Sequence, residues 1–157
     1  MQIVLLAIGK TKLKGVADLL EIYGKRLPRF CKFDMHVLPD VKNSHSLPPA
    51  ILAEKESESF LNVLKSTDWV VLLDEKGFTP NSTELAAKIS QWQHIGKDRI
   101  VFVIGGAYGH GKVLLNRADF KLSLSSLTFN HQMVRAIFVE QLYRAFSILH
   151  NLPYHND

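Results

Sequence analysis

Cysteine is almost missing from this chain: Cys31 is the only one in 157 residues. A single thiol excludes an internal disulfide, and no Cys/His cluster has zinc-site spacing. A reducing compartment, and so a cytoplasmic location with no bound metal, is the expectation. Long apolar runs are missing too. No stretch approaches the ~20 residues that a membrane span needs. The N-terminal run over 3–8 is short and has no basic residue before it, which makes a poor secretory signal. Acidic residues are scarce at the start of the chain. Residues 1–32 hold seven Lys/Arg (Lys10, Lys12, Lys14, Lys25, Arg26, Arg29, Lys32) against Asp18 and Glu21. Such a cluster suits a polyanion such as RNA, although a solvated basic face has the same composition.

What is present is ordinary for a globular α/β chain. The hydrophobic fraction is 46%, the charged fraction 22% and the net charge +4, and the length fits one domain over 1–157. Residues 2–8 read as a strand covered on both faces, because they are apolar almost throughout. Val16, Leu19, Leu20, Tyr23 and Leu27 recur at helical spacing, and Pro28 stops that helix. A half-exposed strand over 33–38 and a polar loop over 39–49 follow. The loop is the only linker-like segment and is too short to divide domains. The next helix spans 50–64, with Ile51, Leu52, Phe60, Leu61 and Leu64 as its inner residues. A buried strand over 69–73 delivers Asp74-Glu75-Lys76-Gly77 to a loop. Asn81 and Glu84 have capping-box spacing and start a helix that Gly96 closes. Strands alternating with helices predict a mostly parallel sheet flanked by helices.

The strand over 100–104 empties into a loop holding Gly105, Gly106, Gly109 and Gly111. A short helix over 111–116, an alternating strand (Phe120, Leu122, Leu124) and a Ser/Thr-rich loop over 125–128 come next. Two small-residue loops after two buried strands can form one ligand site at the carboxyl edge of a sheet. Several readings of the glycine loop compete. The dinucleotide pattern G-x-G-x-x-G fails at every register. The phosphate-loop pattern G-x-x-x-x-G-K is met by Gly106 to Lys112, but Val113 stands where a hydroxyl should hold magnesium, which weakens an ATPase reading. An adenosine-type ligand lying across both loops, bonded by backbone groups of 124–129, is the third. An ordinary strand-to-helix turn is the fourth.

The last helix, over 132–150, is apolar around most of its circumference. Glu140, Gln141, Arg144 and Ser147 share one side, and Arg135 lies roughly opposite. Such a helix must be buried, either inside its own core or against a second copy of the chain.

The segments VVLLDEKG, VFVIGGAYGHG, LSLSSLTFNHQMVRAIFVEQLYRA and the terminal NLPYH together resemble the RlmH family of SPOUT methyltransferases, over essentially the whole chain. That resemblance implies a knotted Rossmann-like α/β fold whose C-terminal segment threads a trefoil knot. It implies S-adenosyl-L-methionine as cofactor, held at Leu73, Gly105 and the run Leu124, Ser125, Ser126, Leu127, Thr128 and Phe129. It implies a homodimer through the C-terminal helix, and methylation of N3 of a pseudouridine in large-subunit rRNA on the ribosome. The substrate-side candidates are His155, Tyr154, Arg144 and Arg135. An arginine fork can bind phosphate or a base carbonyl, and His155 can take a proton near neutral pH. His36, His45, His94, His110, His131 and His150 receive no role, although His131 lies beside the second loop. The rival of another class is a non-catalytic ribosome-assembly or RNA-binding protein of the same fold. Replacing Lys10, Lys12 and Lys14 together by Glu is expected to weaken rRNA binding and flatten its dependence on salt. A salt slope equal to that of the unaltered protein would remove the basic stripe from the interface.

Overall fold

The computed structural model describes residues 1–156. Its elements are β1 (Gln2–Ile8), α1 (Lys14–Gly24), β2 (Lys32–Leu38), α2 (Pro49–Leu61), β3 (Trp69–Phe78), α3 (Ser82–Gln93), β4 (Arg99–Ile104), α4 (Lys112–Arg117), β5 (Phe120–Leu122) and α5 (Met133–Leu149). The five strands form one sheet in the order β2-β1-β4-β3-β5, and every pair is parallel.

The strand period of two divides the apolar residues between two faces. Ile3, Leu5 and Ala7 of β1 join Ile100, Phe102 and Ile104 of β4 under α3 and α5. Val4, Leu6 and Ile8 join Val101 and Val103 on the opposite face, where Phe60 of α2 and Leu114 of α4 cover them. This is why β1 and β4 read as unbroken apolar runs: each face has its own helical layer. The capping box at Asn81 and Glu84 is present in both directions.

Three expectations need correction. Leu19 of α1 and Ile51 of α2 point outward, at 45% and 47% exposure. On α2 the inward places go instead to Glu56 and Ser57, both buried. Periodicity counts apolar residues and so misses polar ones that are buried because they bond another segment. The third correction concerns β3, which continues past Leu73 to Phe78. Its register against β5 slips between those two residues, so 74–77 form a bulge rather than a free loop.

α5 packs on α1 and α3. Most of its apolar surface is therefore spent inside its own chain. Ala136, Phe138, Val139, Leu142, Tyr143, Ala145 and Phe146 are buried. The stripe left half-exposed or open is Met133, Ile137, Glu140, Gln141, Arg144 and Ile148. Ser147, assigned to the polar side, is wholly buried and donates to the Tyr143 carbonyl at 2.9 Å.

Two residues fix where α5 begins. The Gln132 side-chain oxygen accepts from the backbone N–H groups of Lys12 and Leu13, at 2.8 and 3.1 Å, at the start of α1. Arg135 is 1% exposed. Its guanidinium donates to the carbonyls of Ile8 at 2.5 Å and Gly9 at 2.7 Å and to the Thr11 hydroxyl at 3.1 Å. These are the carbonyls that β1 presents where its ladder ends. The chain leaving β5 at one side must thus cross the carboxyl ends of β3 and β4 to dock beside β1. Arg135→Ala would leave those carbonyls buried without donors. We expect a loss of about 3 kcal/mol in urea denaturation. A loss under about 1 kcal/mol would mean that water replaces the guanidinium.

Candidate active site

The crossing segment, residues 123–132, closes a cleft of about 550 Å³ over the ends of β3, β4 and β5. Three stretches line it: 73–76 from the β3 bulge, 104–110 from the glycine loop, and 121–129 from β5 onward, with His131 and Val134 at the start of α5. Side chains tie these stretches together. Thr128 Oγ1 donates to Glu75 at 3.0 Å. Ser123 Oγ donates to the Ser125 carbonyl at 2.8 Å, and Ser125 Oγ accepts from the Leu127 N–H at 2.9 Å. His110 Nε2 donates to the Leu73 carbonyl at 2.8 Å.

The glycine loop turns back on itself through a Gly106–Gly109 bridge, with Gly109 in the left-handed region at φ +78. Its rear is held by α2. Ser57 Oγ accepts from the Gly111 N–H at 2.7 Å, and Glu54 accepts from the Lys112 N–H at 2.6 Å. Glu56 takes the Gly106 N–H; burial pushes its carboxyl pKa up, against that hydrogen bond. Its Oε2 is buried without a partner among the described residues. A phosphate loop needs these N–H groups free and no carboxylate beside them. Here they are already bonded, two of them to carboxylates. The nucleotide-hydrolase reading therefore fails on geometry, beyond the missing hydroxyl at Val113.

Residues 1–155 match the family model described as "Predicted SPOUT methyltransferase". The chain belongs to the SPOUT methyltransferase family. It is also similar to proteins called "Ribosomal RNA large subunit methyltransferase H". The relative from Flavobacterium johnsoniae is 46% identical over 157 residues, covering 100% of both chains. That from Christiangramia forsetii is 45% identical over 156 residues, 99% of each chain. That from Parabacteroides distasonis is 43% identical over 157 residues, again 100% of both.

SPOUT methyltransferases use S-adenosylmethionine. The cleft fits that cofactor. Its volume is in the range of sites for ligands of this size. It mixes apolar walls (Leu73, Ile104, Leu124, Phe129) with backbone polar groups. Asp74 and Glu75 supply carboxylates that suit a cationic sulfonium. Of the positions implied by the family resemblance, Leu73, Gly105, Leu124, Ser125, Leu127, Thr128 and Phe129 line the cleft, and Ser126 does not. His110 and His131, given no role from sequence, both line it. Burial, with the Arg135 charge beside it, lowers the His131 imidazole pKa. Nothing local in the sequence marks His110, because its partner, Leu73, lies 37 residues away.

The substrate-side candidates divide. Arg144, Tyr154 and His155 meet at the far end of α5 around Glu140, a residue that the sequence placed on the polar face without a task. Arg144 donates to Glu140 at 2.6 Å and to His155 Nδ1 at 3.4 Å. Its guanidinium lies 4.7 Å from the centre of the Tyr154 ring. The Tyr154 hydroxyl donates to Glu140 at 2.9 Å and lies 3.0 Å from the Tyr23 hydroxyl. Burial, then those two neighbours, push the Tyr154 pKa up, so it stays a phenol and a donor at neutral pH. Arg135 is not part of this cluster. Its donors are taken by backbone carbonyls at the other end of the helix, where its guanidinium is buried.

The close packing of the glycine loop generates a test. A Cβ on Gly105 would lie 2.7 Å from the Gly109 carbonyl oxygen and 3.1 Å from His110 Cε1. Even Gly105→Ala must therefore displace the loop, before any larger side chain fills ligand space. We expect at least about tenfold weaker S-adenosylmethionine binding by calorimetry, with the far-ultraviolet spectrum unchanged. Unaltered affinity would show that the loop yields without cost to the site.

Proposed function

We propose that this chain methylates large-subunit ribosomal RNA at N3 of a pseudouridine, as a homodimer of single-domain subunits. The observation that carries the reading is the cleft at the ends of β3, β4 and β5, closed by the crossing segment, in a full-length SPOUT chain. Its relatives are named as large-subunit rRNA methyltransferases. The cofactor supplies an electrophilic methyl, so the protein has to position the base and help remove its proton. Arg144 is suited to a phosphate or a base carbonyl, Tyr154 to donating a hydrogen bond, and His155 to accepting the proton. Glu140 orients the first two. Gly105, Leu73, Leu124, Ser125, Leu127, Thr128 and Phe129 hold the cofactor, and Ser126 completes that run without lining the cleft.

A separation along α5 supports the dimer. Val134 lines the cleft, and Arg144 lies ten residues further along α5, about 15 Å away at 1.5 Å per residue. None of Arg144, Tyr154 and His155 lines the cleft of its own chain. Two copies packed through the Met133–Ile148 stripe with α5 antiparallel bring each tail to the other's cleft.

Complementation tests this directly. Gly105→Val and the double variant Tyr154→Ala, His155→Ala should each be nearly inactive in methyl transfer to large ribosomal subunits. Mixing them after co-refolding should restore a measurable share of activity, because each mixed dimer has one intact cleft facing one intact tail. No recovery, with mixed dimers present, would place both parts of the site in one subunit. A fully active tail variant would remove the tail from the reaction.

A further inference from the structure

The ring of His110 spans two of the three stretches that form the cleft. It leaves the chain in the glycine loop, and its Nε2 reaches the carbonyl of Leu73, the last residue of β3 paired with β4. The acceptor is a carbonyl, so Nε2 carries the hydrogen. Nδ1 is then a lone pair, buried and without a partner among the described residues. The ring also occupies the space beside Gly105 that a side chain there would need. No other side chain joins the glycine loop to the β3 exit among the hydrogen bonds of the described residues.

We propose that His110 is a positioning residue of the cofactor site: as a neutral imidazole it pins the glycine loop to the β3 exit and holds Leu73 and Gly105 in a fixed cradle. The inference rests on the reading of the cleft as the S-adenosylmethionine site. It assigns a task to a residue that lines the cleft but was given none by sequence. Neutrality matters because the ligand carries a sulfonium charge, and an imidazolium in the wall would repel it. The surroundings keep the ring neutral. Burial lowers its pKa, and a second proton would sit on Nδ1, which has no acceptor among the described residues. Asp74 draws a proton toward the ring and Lys121 repels one. Glu75, Lys76 and His131 share the same cleft.

The test uses the full chain with S-adenosylmethionine as the probe. His110→Leu keeps the volume and removes the donor, whereas His110→Gln places an amide N–H near the position of Nε2. We expect the Leu variant to bind about tenfold more weakly by calorimetry, and to raise the cofactor KM more than it lowers kcat. The Gln variant should recover most of that loss. Wild-type affinity in the Leu variant, or no recovery with Gln, overturns the proposal. An absence of binding by the unaltered protein overturns the cofactor-site reading itself, so the two failures are distinguishable. Nitrogen-15 spectra of the unaltered protein give a measurement that needs no variant. They should show the Nε2–H form as the neutral tautomer and a neutral ring at neutral pH, and the Nδ1–H form or a ring protonated at neutral pH overturns the assignment.

Discussion

A buried guanidinium bonded to neutral oxygens holds the arrangement together. Parallel strands end with carbonyls that the ladder no longer serves, and β1 ends in the interior, where water does not serve them either. Arg135 supplies the donors. It brings them from a position 126 residues after Gly9 in sequence. Gln132, on the preceding turn, serves the start of α1 in the same way. The chain between β5 and α5 therefore passes across the sheet edge between two anchored points. The cleft exists because that span has to pass over the ends of β3 and β4.

The two ends of α5 carry different chemistry. At the N-terminal end, backbone groups and small side chains frame a cavity for a ligand that brings its own reactivity. At the C-terminal end, Glu140 gathers an arginine and a tyrosine around one carboxylate. Few reacting groups are needed, since an activated methyl asks of the protein mainly alignment and a path for one proton. The cleft and the Glu140 cluster thus sit at different places along one helix, Val134 at the first and Arg144, about 15 Å further on, at the second.

The glycine loop shows how a familiar pattern can serve another purpose. Glycines before a lysine at a helix start suggest a cradle for phosphate, but the cradle needs unoccupied N–H groups. α2 turns Ser57, Glu56 and Glu54 toward the loop and takes them. With its rear bonded in this way, the loop becomes a rigid wall. Only the side facing Leu73 and residues 124–129 is left for a ligand.

Period and punctuation determined the element order, the two-faced burial of β1 and β4, the capping box at Asn81, and the two loops that line the cleft. These are local properties, set by pleat, helical turn and backbone freedom, so they stand in the sequence as patterns. The tertiary structure alone decided the inward turn of Glu56 and Ser57, the docking of Arg135 on the carbonyls at the end of β1, the gathering of Tyr154 at Glu140 and the reach of His110 to Leu73. Each is a polar residue with a partner 14 to 127 residues away. A hydrogen bond across that distance leaves no period to read. Its residues become legible only when the sheet has brought both ends together.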